Sequence, residues 1–254
     1  MRILALGDVV GSNTVDYFSR HLWSVRSKYK IDFVIANGEN ATDTHGVGAR
    51  DAEALLNTGV DVITLGNHTY GMRDIYDLLE NHTQIIRPAN YPSEAPGSGY
   101  TLQNVDGWRL LCINVCGRVF LEPLANPFET VDRILAREAG RYDIAVMDVH
   151  AEATSEKLAL AHYFDGRVQV IFGTHTHVPT ADTMLLPKGS GYVTDLGMCG
   201  PINGILGTDK DAVIHKLRTS MPARFHVADG EIRANGVLFE LDGTRVKSVQ
   251  RVEF

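Results

Sequence analysis

The chain has 254 residues, 44% hydrophobic and 22% charged, with a formal net charge of −7. That is ordinary globular composition, long enough for one large α/β core. The acidic balance excludes the broad basic face that holds polymeric nucleic acid. Small anionic substrates stay open if a bound metal supplies local positive charge. Three cysteines (Cys112, Cys116 and Cys199) are odd in number and form no CxxC pair. They argue against a disulfide framework or thiolate zinc site and for a reducing, cytoplasmic setting.

In chain order, the first apolar run, residues 3–6, reaches Asp8 too soon for a membrane helix and carries no signal-cleavage pattern, so it reads as a strand. Val15, Phe18, Leu22 and Val25 follow at helical spacing. A second buried strand is expected at 33–36. After it, Ala52, Leu55 and Leu56 form a helical face that Gly59 stops. Further short runs at 62–65, 110–115, 144–149 and 168–172 read as strands buried on both faces. The Pro- and Gly-rich stretch 87–99 is expected to be a loop within the fold. Val131, Ile134 and Leu135 mark one more helix, and Val213, Ile214 and Leu217 another, with Thr208 and Asp211 at its start. Asp229-Gly230 and Asp242-Gly243 separate alternating runs, the pattern of antiparallel hairpins. The whole predicts a single α/β domain over residues 1–254 with a C-terminal antiparallel meander, and no internal repeat or low-complexity linker.

Ligands in open α/β sheets bind beyond the carboxyl ends of strands. Here those ends carry Gly7-Asp8, Asn37-Gly38-Glu39-Asn40, Gly66-Asn67-His68, His150-Ala151-Glu152 and Gly173-Thr174-His175-Thr176-His177. Each residue alone has a plain explanation. Asp8 suits a turn cap, Asn67 a turn, His150 a hydrogen-bonded core histidine, and His175 with His177 the polar face of an edge strand. Four of the ten histidines at strand ends, beside two carboxylates, instead point to one shared site. Carboxylates, imidazoles and amide oxygens without thiolate suit Mn²⁺, Fe or Zn²⁺ better than Ca²⁺ or copper(I). Asp8, Glu39, Asn40, Asn67, His150, His175 and His177 are too many for one catalytic ion and about right for two, which a carboxylate would bridge.

"GD" after the first strand, "GNH", a lone His after a later strand and "GTHTH" resemble the calcineurin-like metallophosphoesterase superfamily. More narrowly, "GDVVG", "NGENAT", "LGNHTY", "DVHAEATSEK" and "GTHTHVPTAD" are similar to the YmdB-like branch, bacterial phosphodiesterases acting on cyclic nucleotides. The resemblance implies a four-layer αββα sandwich with mixed sheets and two divalent ions, Fe or Mn first, with Zn or Mg as alternatives. It implies Asp8 and His177 on the first ion, Glu39 bridging, and Asn67, His150 and His175 on the second, with His68 beside both. Three positions depart from the broad superfamily. Val10 stands where a histidine ligand is usual, Glu39 replaces the bridging Asp, and Thr69 replaces the acidic residue after "GNH". Asn40 is the candidate substitute for the missing ligand, and the first ion is expected to be held more weakly.

The expected reaction is hydrolysis of a 2′,3′-cyclic or 3′,5′-cyclic nucleotide by a metal-bridging hydroxide, with His68 assisting the leaving group. A phosphomonoesterase or nucleotidase on the same site is the alternative, and a non-catalytic protein that keeps the fold is a third reading. Asn67, His68 and His45 are candidate substrate contacts. The loop 41–50, which holds His45, reads either as a substrate-facing wall or as a plain flexible connection. Thr154 or Ser155 is expected to cap the helix after His150, and Glu152 to support the ligands from outside. A small phosphodiester is the expected partner, with no membrane; a homo-oligomer is left open.

Overall fold

Side chains along residues 2–6 alternate between two different cores: Leu4 and Leu6 enter one, Ile3 and Ala5 the other. This is the period-two signature of a strand covered on both faces. The computed structural model describes residues 1–42 and 45–254. Its elements are β1 (Arg2–Leu6), β2 (Asp8–Val9), α1 (Ser12–Tyr29), β3 (Phe33–Asn37), α2 (Ala49–Asn57), β4 (Val62–Thr64), α3 (Ile75–Asn81), β5 (Ile85–Ile86), β6 (Tyr100–Val105) and β7 (Trp108–Cys116). They continue with α4 (Pro127–Arg137), β8 (Ile144–His150), α5 (Thr154–Phe164), β9 (Val170–Thr174), β10 (Met184–Leu185), β11 (Gly191–Val193), β12 (Met198–Pro201), α6 (Lys210–Thr219), β13 (Ile232–Arg233), β14 (Asn235–Asp242) and β15 (Arg245–Glu253).

Two mixed sheets result, ordered β15-β14-β1-β3-β4-β5 and β10-β11-β9-β8-β7-β6. In the first, β1, β3, β4 and β5 run parallel and the β14–β15 hairpin closes antiparallel on β1. In the second, β7, β8, β9 and β11 run parallel. Between the sheets lies one apolar layer that joins Ile3, Phe33, Ile35 and Val62 to Ile144, Val146, Val170 and Phe172. Helices α1, α2 and α3 cover the outer face of the first sheet, and α4 and α5 that of the second. The order is αββα, the expected four layers.

The helical faces read from the sequence pack as expected in three cases, one of them α2, which buries Ala52 and Leu55. Val15, Phe18, Leu22 and Val25 are all buried under α1. Under α4, Val131, Ile134 and Leu135 are buried behind Pro127 and the capping side chain of Asn126. The fourth case differs, because α6 forms but buries none of its residues. Its cap is Asp209, whose carboxylate accepts from Asp211 N and Ala212 N, rather than Thr208. At α5 neither Thr154 nor Ser155 caps, and the N-cap position is Ala153 with no side-chain bond.

Of the two expected hairpins only the one at Asp242-Gly243 forms, where Asp242 pairs with Arg245. At Asp229-Gly230 the chain does not fold back on itself. β13 instead pairs with β12, which runs parallel to β2 in a separate three-stranded sheet. A remote strand thus outcompetes the local turn signal. The stretch 87–99 is a loop, as expected. Within the expected loop 41–50, residues 43 and 44 lie outside the described residues.

Candidate metal centre

The carboxyl ends of β3 and β4 in one sheet meet those of β8 and β9 in the other, and β2 delivers Asp8 between them. His150 is the hub. Its Nε2 lies 3.2 Å from Glu39 Oε1, 3.0 Å from Asn67 Oδ1 and 3.1 Å from His175 Nδ1. Glu39 Oε2 accepts the backbone N–H of His68 at 3.1 Å, and Glu39 Oε1 accepts from Asn40 Nδ2 at 3.3 Å. Such convergence needs a bare backbone beneath it. A Cβ at Gly66 would overlap Glu39 Oε2 and His150 Nε2, so the turn before Asn67 has to be glycine.

Asp8 forms the second group. Both of its oxygens accept from His175 N, at 3.2 and 3.1 Å. His177 Nε2 stands 3.7 Å from Asp8 Oδ1, and His177 Nδ1 faces Leu206 O at 3.3 Å. His175 and His177 both hold positive φ, 92° and 63°, which non-glycine residues seldom adopt. Strain of this kind persists where the surroundings over-determine the backbone. Here Asp195 does so from between them, accepting from Thr176 N at 3.2 Å and Thr176 Oγ1 at 2.7 Å. Asp195 is paired in turn with the buried Lys157 ammonium at 2.7 Å. Removing one partner of a buried pair like this costs about 3–5 kcal/mol.

His68 and His45 both line the cavity, with their rings edge to face at 4.9 Å. Asn67 Nδ2 lies 3.2 Å from His68 Nε2, which assigns the neutral ring's proton to Nδ1. Glu152, which also lines the cavity, has its Oε2 3.1 Å from His175 Nε2. With Thr69 in place of an acid, the neighbours that fix the His68 ring are Asn67 and His45.

The electrostatics follow from burial against pairing. Burial pushes the Glu39 carboxyl up, but the His150 imidazole outweighs it and holds Glu39 at about 2. Burial pushes His150 down, and Glu39 and Asp8 overcome it, raising His150 to about 9. Asp8 has weaker help, so burial lifts it to about 6 against His177 and His150. His175 is depressed to about 3 by burial and by its neighbour His150, and burial also lowers His68.

The residues fit divalent cations. Glu39, His150 and His175 place their ligand atoms within 4.8 Å of one another. Asn40 Oδ1 is buried without a hydrogen-bond partner among the described residues. Three ligand atoms crowd His150 Nε2, which carries at most one proton to share. A cation satisfies such a set where hydrogen bonds cannot, and its N/O composition suits Mn, Fe or Zn.

Beneath the hub lies a layer that sequence reasoning missed. His150 Nδ1 contacts Thr174 Oγ1 at 2.9 Å and Asn37 Nδ2 at 3.3 Å. Thr174 donates to Asp148 Oδ1 at 2.8 Å, and Asn37 and Thr64 donate to Asp148 Oδ2. Asn114 Nδ2 holds the carbonyl of Leu65 at 2.6 Å, just before Gly66. The signal was present as polar residues inside runs that otherwise read as buried strand, Thr64, Asn114 and Asp148, and just past the ends of two more, Asn37 and Thr174.

Fold and site together are those of a metallophosphoesterase. A putative 5′-nucleotidase from Staphylococcus aureus shares the fold at a TM-score of 0.64 with 15% identity, over 99% of this chain and 54% of that one. The chain belongs to the YmdB-like family, whose model matches residues 4–252. It is 45% identical over 250 residues to the 2′,3′-cyclic-nucleotide 2′-phosphodiesterase of Bacillus subtilis (strain 168), covering 98% of this chain and 95% of that protein. The crystal structure of a hypothetical protein from Thermus thermophilus superposes at a TM-score of 0.93 with 41% identity, over 100% of this chain and 99% of that one. Among the described residues no helix is long and apolar enough to cross a membrane.

Proposed function

We propose that this chain is a two-metal phosphodiesterase that opens 2′,3′-cyclic nucleotides. Its enzyme class, phosphoric diester hydrolase, is that of its family. The observation that carries the finer reading is the convergence of Glu39, Asn67 and His175 on His150 Nε2, at the floor of a cavity of about 400 Å³. Residues 1–254 act as one domain in this reading, because both sheets share an apolar layer and both supply ligands.

Asp8, Asn40 and His177 would hold one divalent ion, Asn67, His150 and His175 the other, and Glu39 both. Bound there, the ions supply Lewis acidity toward phosphoryl oxygens and lower the pKa of water to furnish a nucleophile near neutrality. The chain's own groups do the rest. Asn67, with its amide between His150 and His68, presents N–H toward the charge that grows on the phosphoryl oxygens. His68, as the imidazolium, would give one of its two ring protons to the departing ribose oxygen and be left as the neutral ring. Burial lowers the pKa of this ring, and an arriving phosphate anion raises it again, so a proton is available when the leaving group needs one. His45, edge-on to His68, steadies that ring. Three buried free thiols support a reducing, cytoplasmic setting.

The test is a metal-reconstituted assay on 2′,3′-cyclic and 3′,5′-cyclic nucleotides, bis-p-nitrophenyl phosphate and p-nitrophenyl phosphate. Turnover should be highest on the 2′,3′-cyclic diester and vanish with chelator. Preference for the monoester would replace this reading with a phosphatase.

A further inference from the structure

The cavity does not end at the histidines. Its other side is hydrocarbon, built from Val10, Ile205, Leu206, Val213 and Phe225. These side chains form one continuous wall that begins at a proposed ligand, because the Leu206 carbonyl contacts His177 Nδ1 at 3.3 Å. Thr208 bridges to Val227, and Asp209 N donates to His226 O at 2.9 Å, which lays the Phe225 segment alongside residues 205–208. The Lys216 ammonium sits 4.9 Å from the centre of the Phe225 ring and braces it. Leu206 is 52% exposed and holds a positive φ of 51°, a costly state for a branched apolar residue with no core to fill. Helix α6 buries nothing, yet its Val213 lines this cavity. Of the apolar face of α6, Val213 therefore serves the site and not the core.

We infer that this wall seats the nucleobase of the substrate, with Phe225 stacked against the base while the phosphate lies at the histidines. The inference rests on the phosphodiesterase reading of the same cavity. A nucleotide joins a charged phosphate to a flat, weakly polar ring, and the cavity joins a ligand cluster to an aromatic and aliphatic wall. Its volume of about 400 Å³ suits a ligand of mononucleotide size. Among the described residues on this apolar side, Thr208 is the one hydrogen-bonding side chain, so the seat holds a base chiefly by contact. Adenine and guanine are then accepted alike. Val10, which stands where the broader superfamily places a histidine ligand, is buried at the foot of this wall.

The experiment compares a 2′,3′-cyclic purine nucleotide with base-free glycerol 1,2-cyclic phosphate in the metal-loaded wild type, Phe225→Ala and Phe225→Trp. Loss of one stacking partner lowers kcat/KM for the nucleotide by roughly 5- to 150-fold. Glycerol cyclic phosphate should be turned over within about 2-fold of wild type, which also reports that the variant is folded, and Trp should restore the nucleotide rate. Cyclic AMP and cyclic GMP isomers should differ by less than about 3-fold in wild type. Equal losses on both substrates, or no loss on either, overturn the base seat while leaving the diesterase reading intact. A wild type that turns over neither substrate overturns the diesterase reading and the base seat with it.

Discussion

The two halves of the proposed metal centre are built differently. The half around His150 stands on strand ends from both sheets, with three ligand atoms within 3.2 Å of one nitrogen. Beneath it, Asn37, Thr64, Asp148 and Thr174 fix the imidazole from behind. The half around Asp8 stands on a two-residue strand and a strained turn, its Asp8–His177 approach is 3.7 Å, and Val10 offers it nothing. The Asp8 carboxyl is pushed up to about 6 while Glu39 is held at about 2. The two halves thus differ in preorganisation. The half around His150 should bind first and more tightly, and the one around Asp8 should be the exchangeable one.

The largest effect should come from the residue the halves share. Glu39→Gln removes the charge proposed to serve both ions, so metal content and activity should fall together. Elemental analysis showing two full equivalents would break the bridging role. Next, His68→Ala should lose about 10²- to 10⁴-fold in kcat with both ions retained. If metal content fell in step with activity, His68 would be a ligand and not a proton donor.

A paired comparison tests the asymmetry itself. Asp148→Asn loosens the orientation of His150 and should weaken the tighter ion about 10- to 100-fold, as changes behind a ligand do. Asn40→Ala should instead cost the weaker ion and leave about one equivalent, read by titration calorimetry. Loss of the same ion in both variants would merge the two halves into one.

The smallest effect is a proton count. In the metal-free chain His150 is raised to about 9 and Glu39 lowered to about 2, so at pH 7.5 the imidazole is charged and the carboxylate ionised. A metal takes neutral imidazole, so binding should release about one proton from His150 near pH 7.5. Affinity should climb as pH rises toward 9, and fall below pH 6 as Asp8 protonates. Calorimetry in buffers of different ionisation enthalpy counts the protons, and uptake instead of release would overturn the assignment.

Legibility in the sequence tracked how local the physics was. Strands and the faces of α1 and α4 follow from short-range periodicity, and they packed as that periodicity requires. The polar residues that end five apolar runs were legible because a carboxylate or imidazole at a buried strand end needs a reason. The support behind them was harder to see. Asp148 looked like one polar residue in a strand until Thr64 and Thr174, from strands remote in sequence, were found holding it. Helix α6 and the turn at Asp229-Gly230 misled for the same cause. The pattern gave an amphipathic helix and a hairpin, but α6 buries nothing and β13 pairs with the remote β12.

Residue chemistry and its periodic placement therefore gave the alternating α/β elements and the strand-end cluster of candidate ligands, while the four layers and the class of reaction came from the motif resemblance. Tertiary structure alone decided that the ligands come from two sheets meeting edge to edge. It also decided which ligands crowd His150 and which stand apart at Asp8, and that an apolar helix face borders the cavity. A side chain's type and direction are set within a few residues of it. Its neighbours across the fold depend on how two sheets and a third small one pack, and that rests on contacts up to the length of the chain apart.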